Sequence, residues 1–398
     1  MGRGYAPTVR GVKYGRRVRK GLVAWAVAAA GVRLFIAQPE HCAAVTDASL
    51  RHAIDESIAW ATRTQGDDGR WIYRYDTVTN GDVAAYELVR HAGLILTLNQ
   101  AAAAGFDRAL VPAGRADTYA RRFLVHRDDW TALGNIDNPA APIDVGASAL
   151  WLAALSYERT PDLDTMRGLA RFLAVNVYAN GSVAEKWDPA TGQPRPDEFS
   201  PFFTGETMWA LARMHRLAPT EGWDRIVDRI LHYVATERDE AEGWFPPLPD
   251  HWVSYALGEI TTWRALDRDE AAYAARVGEL ESLQIRYESQ RTNSWFSQLT
   301  RGNQALGAGV GAMTEALGAL WRASGRDPRL RDLHPVLAER AQCAAAQLVA
   351  RQVDERDAQR YVRPDAVQGT WLHDGKTQID DQQHATSGLL AVLEIING

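Results

Sequence analysis

Two cysteines in 398 residues are too few for a disulfide scaffold. Neither belongs to a Cys-x-x-Cys pair, so the sequence offers no zinc cluster. Charge of one sign is also scarce. The net charge is −6 and Lys and Arg are scattered, which argues against nucleic acid as the main partner. Length alone would suggest two or three domains. Yet no Pro/Gly/Ser linker and no charge run divides residues 50–396. Low-complexity sequence is limited to short Ala runs, which suit close helix packing. At 46% hydrophobic residues, a large core forms without staples.

What is present is a repeat. Six times, a stretch with helical apolar spacing ends in a turn, and a more apolar helical stretch follows. The turns read Gly69-Arg70-Trp71, Gly181-Ser182-Val183, Gly243-Trp244-Phe245, Ser294-Trp295-Phe296 and Gly369-Thr370-Trp371, with a degenerate one at Asp129-Trp130. The apolar stretches start near Tyr86, Asp144, Phe203, Asp250, Ala308 and Asp381, which gives a period of roughly sixty residues. Outer helices are predicted at 49–64, 115–125, 164–177, 222–237, 268–289 and 334–352. Inner helices are predicted at 85–104, 144–157, 203–217, 250–265, 307–324 and 381–396. The pattern implies an all-α closed ring of twelve helices. Short β-hairpins gather at the end where the inner helices begin.

The N-terminus differs. Arg3, Arg10, Lys13, Arg16, Arg17, Arg19 and Lys20 precede an apolar run, Gly21–Ala37, that Arg33 interrupts. A basic region before such a run resembles a signal anchor. Residues 1–40 are therefore expected to be a leader attached to a membrane, with residues 41–398 outside the cytoplasm. A soluble amphipathic leader helix is the alternative. In a closed ring the segments holding Cys42 and Cys343 are neighbours, which leaves two readings: a ring-locking disulfide or two buried thiols.

Fourteen Trp and thirteen Tyr exceed what a helical core needs, and many sit in the turns. They either plug the ring or line a cleft for sugars or isoprenoid chains. Inner-helix starts carry free N–H groups and partial positive charge. Here they are polar: Glu87-Leu88-Val89-Arg90-His91, Asp144, Glu206, Asp250-His251-Trp252 and Asp380-Asp381-Gln382-Gln383-His384. Groups from several repeats converge on one cavity.

These hairpins, Gly-x-Trp turns and acidic inner-helix starts resemble the six-hairpin glycosidase-like (α/α)6 toroids. The resemblance covers residues 50–396 and matches no specific family signature. It implies a carbohydrate-active enzyme, with a glycan as substrate and no cofactor. Members include glycoside hydrolases, polysaccharide lyases and 2-epimerases; terpene and lanthipeptide cyclases share related toroids.

The expected reaction is glycoside hydrolysis, and the alternative is a sugar epimerase or polysaccharide lyase with His251 or His384 as base. Hydrolysis needs two carboxylates, one held protonated. Glu206 is the expected general acid, with Asp250 or Asp381 as base, and Asp380 and Glu87 behind them. Asp250, Asp380 and Asp381 also suit helix N-caps. Glu206 also suits an ion pair with Arg90. His251 and His384 either orient the sugar or, as the resemblance to 2-epimerases implies, move a proton. A zinc site built from His91, His251 and His384 lacks helix-pair spacing. Arg90, His91 and Tyr255 are further substrate contacts, and Trp71, Tyr75, Trp252 and Trp371 are stacking platforms. A non-catalytic glycan-binding protein is the remaining alternative.

Overall fold

The computed structural model describes residues 12–398 except 36–37, 84, 197, 246 and 306. The chain divides into two units. The smaller joins residues up to His41 with Tyr287–Gln304; the larger comprises Cys42–Arg286 and Ala305–Gly398. Helix α1 (Val12–Phe35) opens the smaller unit. In the larger unit outer and inner helices then alternate. The pairs are α2 (Asp47–Arg63) with α3 (Leu88–Ala103), α4 (Leu110–Ala120) with α5 (Val145–Leu155), and α6 (Leu163–Val175) with α7 (Phe203–Leu217). Next come α8 (Trp223–Thr236) and short α9 (Arg238–Ala241) with α10 (His251–Ile260), then outer α11 (Arg268–Glu288). The smaller unit contributes α12 (Trp295–Arg301) before inner α13 (Gly307–Ser324). Outer α14 (His334–Arg351), short α15 (Glu355–Ala358) and α16 (Pro364–Val367), and inner α17 (Ile379–Asn397) complete the ring.

Composition explains which helices face inward. Every residue of α5 is buried, so this helix has no solvent face. By contrast α8 buries Val227, Ile230, Leu231 and Val234 at helical spacing and turns Asp224, Arg225, Asp228 and Arg229 outward. Each inner helix packs on the next, and α17 returns to α3. The fold is therefore the closed (α/α)6 toroid that the period implies.

The seam is tied in several ways. Gln352 Nε2 donates to the Ala53 carbonyl at 2.8 Å. Cys42 and Cys343 form a disulfide, with Cα atoms 4.9 Å apart. Strand β1 (Arg74–Asp76) pairs with β2 (Gly81–Asp82) on one side. Short strands β3 (Leu124–His126), β4 (Thr131–Leu133), β5 (Ile143–Asp144), β6 (Lys186–Asp188) and β7 (Gln193–Pro194) also fall between an outer helix and its inner partner. The last, β8 (Lys376–Gln378), lies antiparallel to β1 with Thr377 opposite Tyr75, so the sixth repeat is stitched to the first.

The turn glycines have a repeated reason. Gly69, Gly181 and Gly369 all have φ between 79° and 99°. A Cβ on each would lie 2.3–2.4 Å from a carbonyl oxygen of the following outer helix: Arg115, Arg229 and, across the seam, Glu56. Two residues later, Trp71 Nε1 donates to the Ala61 carbonyl and Trp371 Nε1 to the Leu348 carbonyl.

Two expectations change. Ser294-Trp295-Phe296 is no ring turn; Ser294 caps α12 in the smaller unit. No described helix is long and apolar enough to cross a membrane, so the expected signal anchor has no spanning helix among the described residues. Arg3 and Arg10 lie outside the described residues.

Candidate active site

The start of α10 is rigidly held. Asp250 Oδ1 accepts from the Trp252 and Val253 amides at 3.0 and 3.2 Å, while Oδ2 accepts from buried Arg238 at 2.7 Å. This fixes His251 at the first helical position. The start of α17 is held by Asp381, whose Oδ1 accepts from the Ala308 amide at 2.8 Å. One turn later His384 faces inward.

Between the two histidines stands Glu315, from the middle of α13. Its Oε2 accepts from His384 Nδ1 at 2.7 Å and lies 3.9 Å from His251 Nε2. Its Oε1 accepts from the Tyr255 hydroxyl at 3.2 Å. The His251 and His384 rings are 5.1 Å apart, edge to face. Trp252 packs beside both rings. Tyr255 stacks on Trp209 at 4.2 Å.

Burial acts on the two imidazoles in the same sense, but their neighbours differ. His251 is pushed well below the ordinary histidine range by desolvation, helped by the charge of His384. Desolvation also opposes charge on His384, yet the Glu315 carboxylate at hydrogen-bond distance, with Asp380 and Asp381 behind it, outweighs it and raises the group to about 9. At neutral pH His251 is a free base and His384 an imidazolium. Two chemically identical groups in contact hold opposite protonation states.

Glu206 occupies the first turn of α7. It does not pair with Arg90, and its Oε2 is buried with no hydrogen-bond partner among the described residues. A Cβ on Gly146 would fall 2.3 Å from that oxygen and 2.3 Å from the Phe203 ring, so a larger residue there would displace both side chains. Desolvation, then the Asp250 charge, pushes Glu206 well above the carboxylate range. Asp381 is raised by burial to about 6, against the pull of its amide bond.

Arg90 is engaged by Glu87 at 2.9 Å, by the Tyr73 hydroxyl, and by Asp380 at 3.6 Å. Asp380 in turn lies 3.9 Å from His384 Nε2. Tyr73 also lines a cleft of about 580 Å³ with Asp68, Arg70, Trp71 and Tyr86. His91 sits in the wall: Nδ1 meets the Tyr86 hydroxyl at 2.7 Å and Nε2 the Ala116 carbonyl at 2.9 Å. Trp71, Tyr75, Trp252 and Trp371 are all buried, so protein atoms cover the ring faces expected to stack on sugars.

The structure thus brings together Glu206, Asp250, His251, Asp380, Asp381, His384, Trp252 and Tyr255, and it sets His91 apart in a supporting role. Glu315 and Arg238 are additions. Glu315 had a readable signal: it is the one charged residue between Gly307 and Trp321. Arg238 had none, because an arginine after an outer helix reads as solvated. The three-histidine zinc site does not form. His251, Glu315 and His384 do present three ligating atoms within 4.8 Å of one another. A cation there would have to displace the proton that joins His384 to Glu315.

No protein-family profile matches the chain, and no curated protein sequence does. Solved structures do. Cellobiose 2-epimerase from Spirochaeta thermophila superposes with a TM-score of 0.60 at 14% identity, covering 88% of this chain and 96% of that one. The GH76 α-mannanase of Bacteroides thetaiotaomicron gives 0.59 at 9% identity, covering 88% and 97%. The type II terpene cyclase MstE from Scytonema gives 0.53 at 14% identity, covering 87% and 99%. The chain shares the (α/α)6 toroid fold of these proteins. At these identities the likeness fixes the fold and leaves the chemistry to the site.

Proposed function

We propose that the chain is a carbohydrate-active enzyme that epimerises or isomerises a reducing sugar by proton transfer. The observation that carries this reading is the geometry of His251 and His384, whose rings lie 5.1 Å apart with the Glu315 carboxylate 2.7 Å from one and 3.9 Å from the other. Neutral His251 takes the proton from the carbon beside the open-chain carbonyl. The bonding electrons move onto the carbonyl oxygen, giving an enediolate. Imidazolium His384, held by Glu315, returns a proton to the same carbon once the enediolate has turned its other face, and the carbonyl re-forms to give the epimer. For the isomer it protonates the neighbouring carbon, while the hydroxyl of the first carbon passes its proton to the enediolate oxygen. His251, now imidazolium, then hands its proton back to neutral His384 beside it. The sum is an isomer, with no water consumed and no redox change. Arg90 and Asp380 border the pair and suit sugar hydroxyls, and the Tyr73–Trp71 cleft beside them suits a second sugar unit. The fold likeness to a cellobiose 2-epimerase and a mannose isomerase supports the same class.

Hydrolysis is the second reading, favoured by one observation: the Glu206 Oε2 is buried with no hydrogen-bond partner among the described residues, and burial pushes this carboxyl up, as a general acid requires. Its expected bases are both committed, Asp250 to Arg238 and Asp381 to the α13 amide. The Cys42–Cys343 disulfide supports an oxidising, extracytoplasmic compartment.

The test incubates reducing disaccharides and aldoses with the enzyme in deuterated water. Epimerisation predicts deuterium at the carbon beside the carbonyl. It also predicts that His384→Asn and His251→Asn each lower kcat by ~100-fold or more, while Glu206→Gln is mild. Release of a reducing end without deuterium, abolished by Glu206→Gln, would establish the hydrolase instead. Binding of glycan with no turnover of any kind would sink both readings.

A further inference from the structure

The smaller unit is built against water. Helix α1 turns Leu22, Val23, Trp25 and Val27 outward, with Trp25 77% exposed. Its neighbour within the same unit is α12, which exposes Trp295 by 73% and Leu299 by 74%. Large apolar side chains so exposed, on two elements in contact, mark an interaction surface rather than scattered surface residues.

Charge identifies what the surface meets. Residues 1–39 contain eight Lys and Arg and no Asp or Glu, although acidic residues outnumber basic ones in the whole chain. Seven of the eight precede Gly21, and the apolar side chains follow. An apolar segment fed by a run of cations complements an anionic lipid surface, where headgroups take the cations and acyl chains take the apolar groups. Trp is the residue type favoured at the boundary between them. At 24 residues α1 is about 36 Å long. Arg19, Lys20 and Arg33 divide it, and no described helix is apolar enough to cross a membrane.

We propose that α1 and α12 form a lipid-binding surface that inserts into one leaflet of an anionic bilayer. Trp295 and Leu299 make a second apolar contact beside α1. This inference does not depend on the proposed reaction.

Flotation of the full-length chain tests it, using phosphatidylcholine vesicles with and without phosphatidylglycerol. The chain is expected to float with the anionic vesicles and to stay bound in high salt, because insertion outlasts screening of the charges. The double variant W295S/L299S is expected to bind at least ~10-fold more weakly with an unchanged melting temperature. Failure of the wild type to float with either vesicle overturns the proposal. So does complete release by salt, or a double variant that binds like the wild type. Sedimentation showing that α1 instead pairs with a second copy, in a dimer that ignores lipid, overturns it too.

Discussion

One carboxylate, Glu315, reaches both histidines. Glu315 accepts a hydrogen bond from His384 and keeps that ring charged where burial alone would discharge it. Glu315→Gln therefore should lower the pKa of His384 from about 9. The alkaline limb of kcat should move to lower pH, and a pH–rate profile of the variant checks it. An unmoved limb would mean that His384 is not the acid. Stability carries the same sign. His384 is raised in the folded state, so the pair's contribution is complete below the ordinary histidine pKa of 6.5 and is lost as pH rises through about 9. The melting temperature of the wild type should fall over that window, and that of Glu315→Gln should fall much less.

Turns and helices are built from a repeated device, a glycine at positive φ pressed against the next outer helix. Gly369 is the instance at the seam, where its missing Cβ makes room for the Glu56 carbonyl. Gly369→Ala meets both a left-handed backbone and a backbone clash, and neither yields to a side-chain rotation. It should destabilise the fold by roughly 2–4 kcal/mol. Gly192→Ala, also at positive φ but with nothing near its Cβ, should cost about 1 kcal/mol. Comparing the two melting curves separates the clash from the backbone term; equal losses would remove the clash from the account.

At the largest scale, the larger unit is a ring closed at one seam by strand pairing, side-chain bonds and one disulfide. The Cys42–Cys343 bridge spans 301 residues of sequence. Cross-linking so long a loop restricts the unfolded chain, and replacing both cysteines with serine should cost about 2–5 kcal/mol. Reductant should bring the wild type down to the melting temperature of the double variant and leave the variant unchanged. A wild type indifferent to reductant would show that the thiols are not bridged in solution.

Sequence alone determined the architecture, because periodicity is local. The alternation of half-charged with wholly apolar stretches, repeated about every sixty residues, places twelve helices and the hairpin end of the ring. It also marked Glu206, Asp250, His251, Asp381 and His384 as one set, since all stand at inner-helix starts. Only the tertiary structure decided their roles. Asp250 reads as a base until Arg238 is found against it, and Arg238 comes from an outer segment twelve residues earlier. Glu315 lies more than two turns inside its helix. It meets His384 only because α13 and α17 pack side by side, and their relative offset is written in no single repeat. Protonation is the last step: opposite states for two neighbouring histidines follow from which of them a buried carboxylate touches, a distance that packing alone sets.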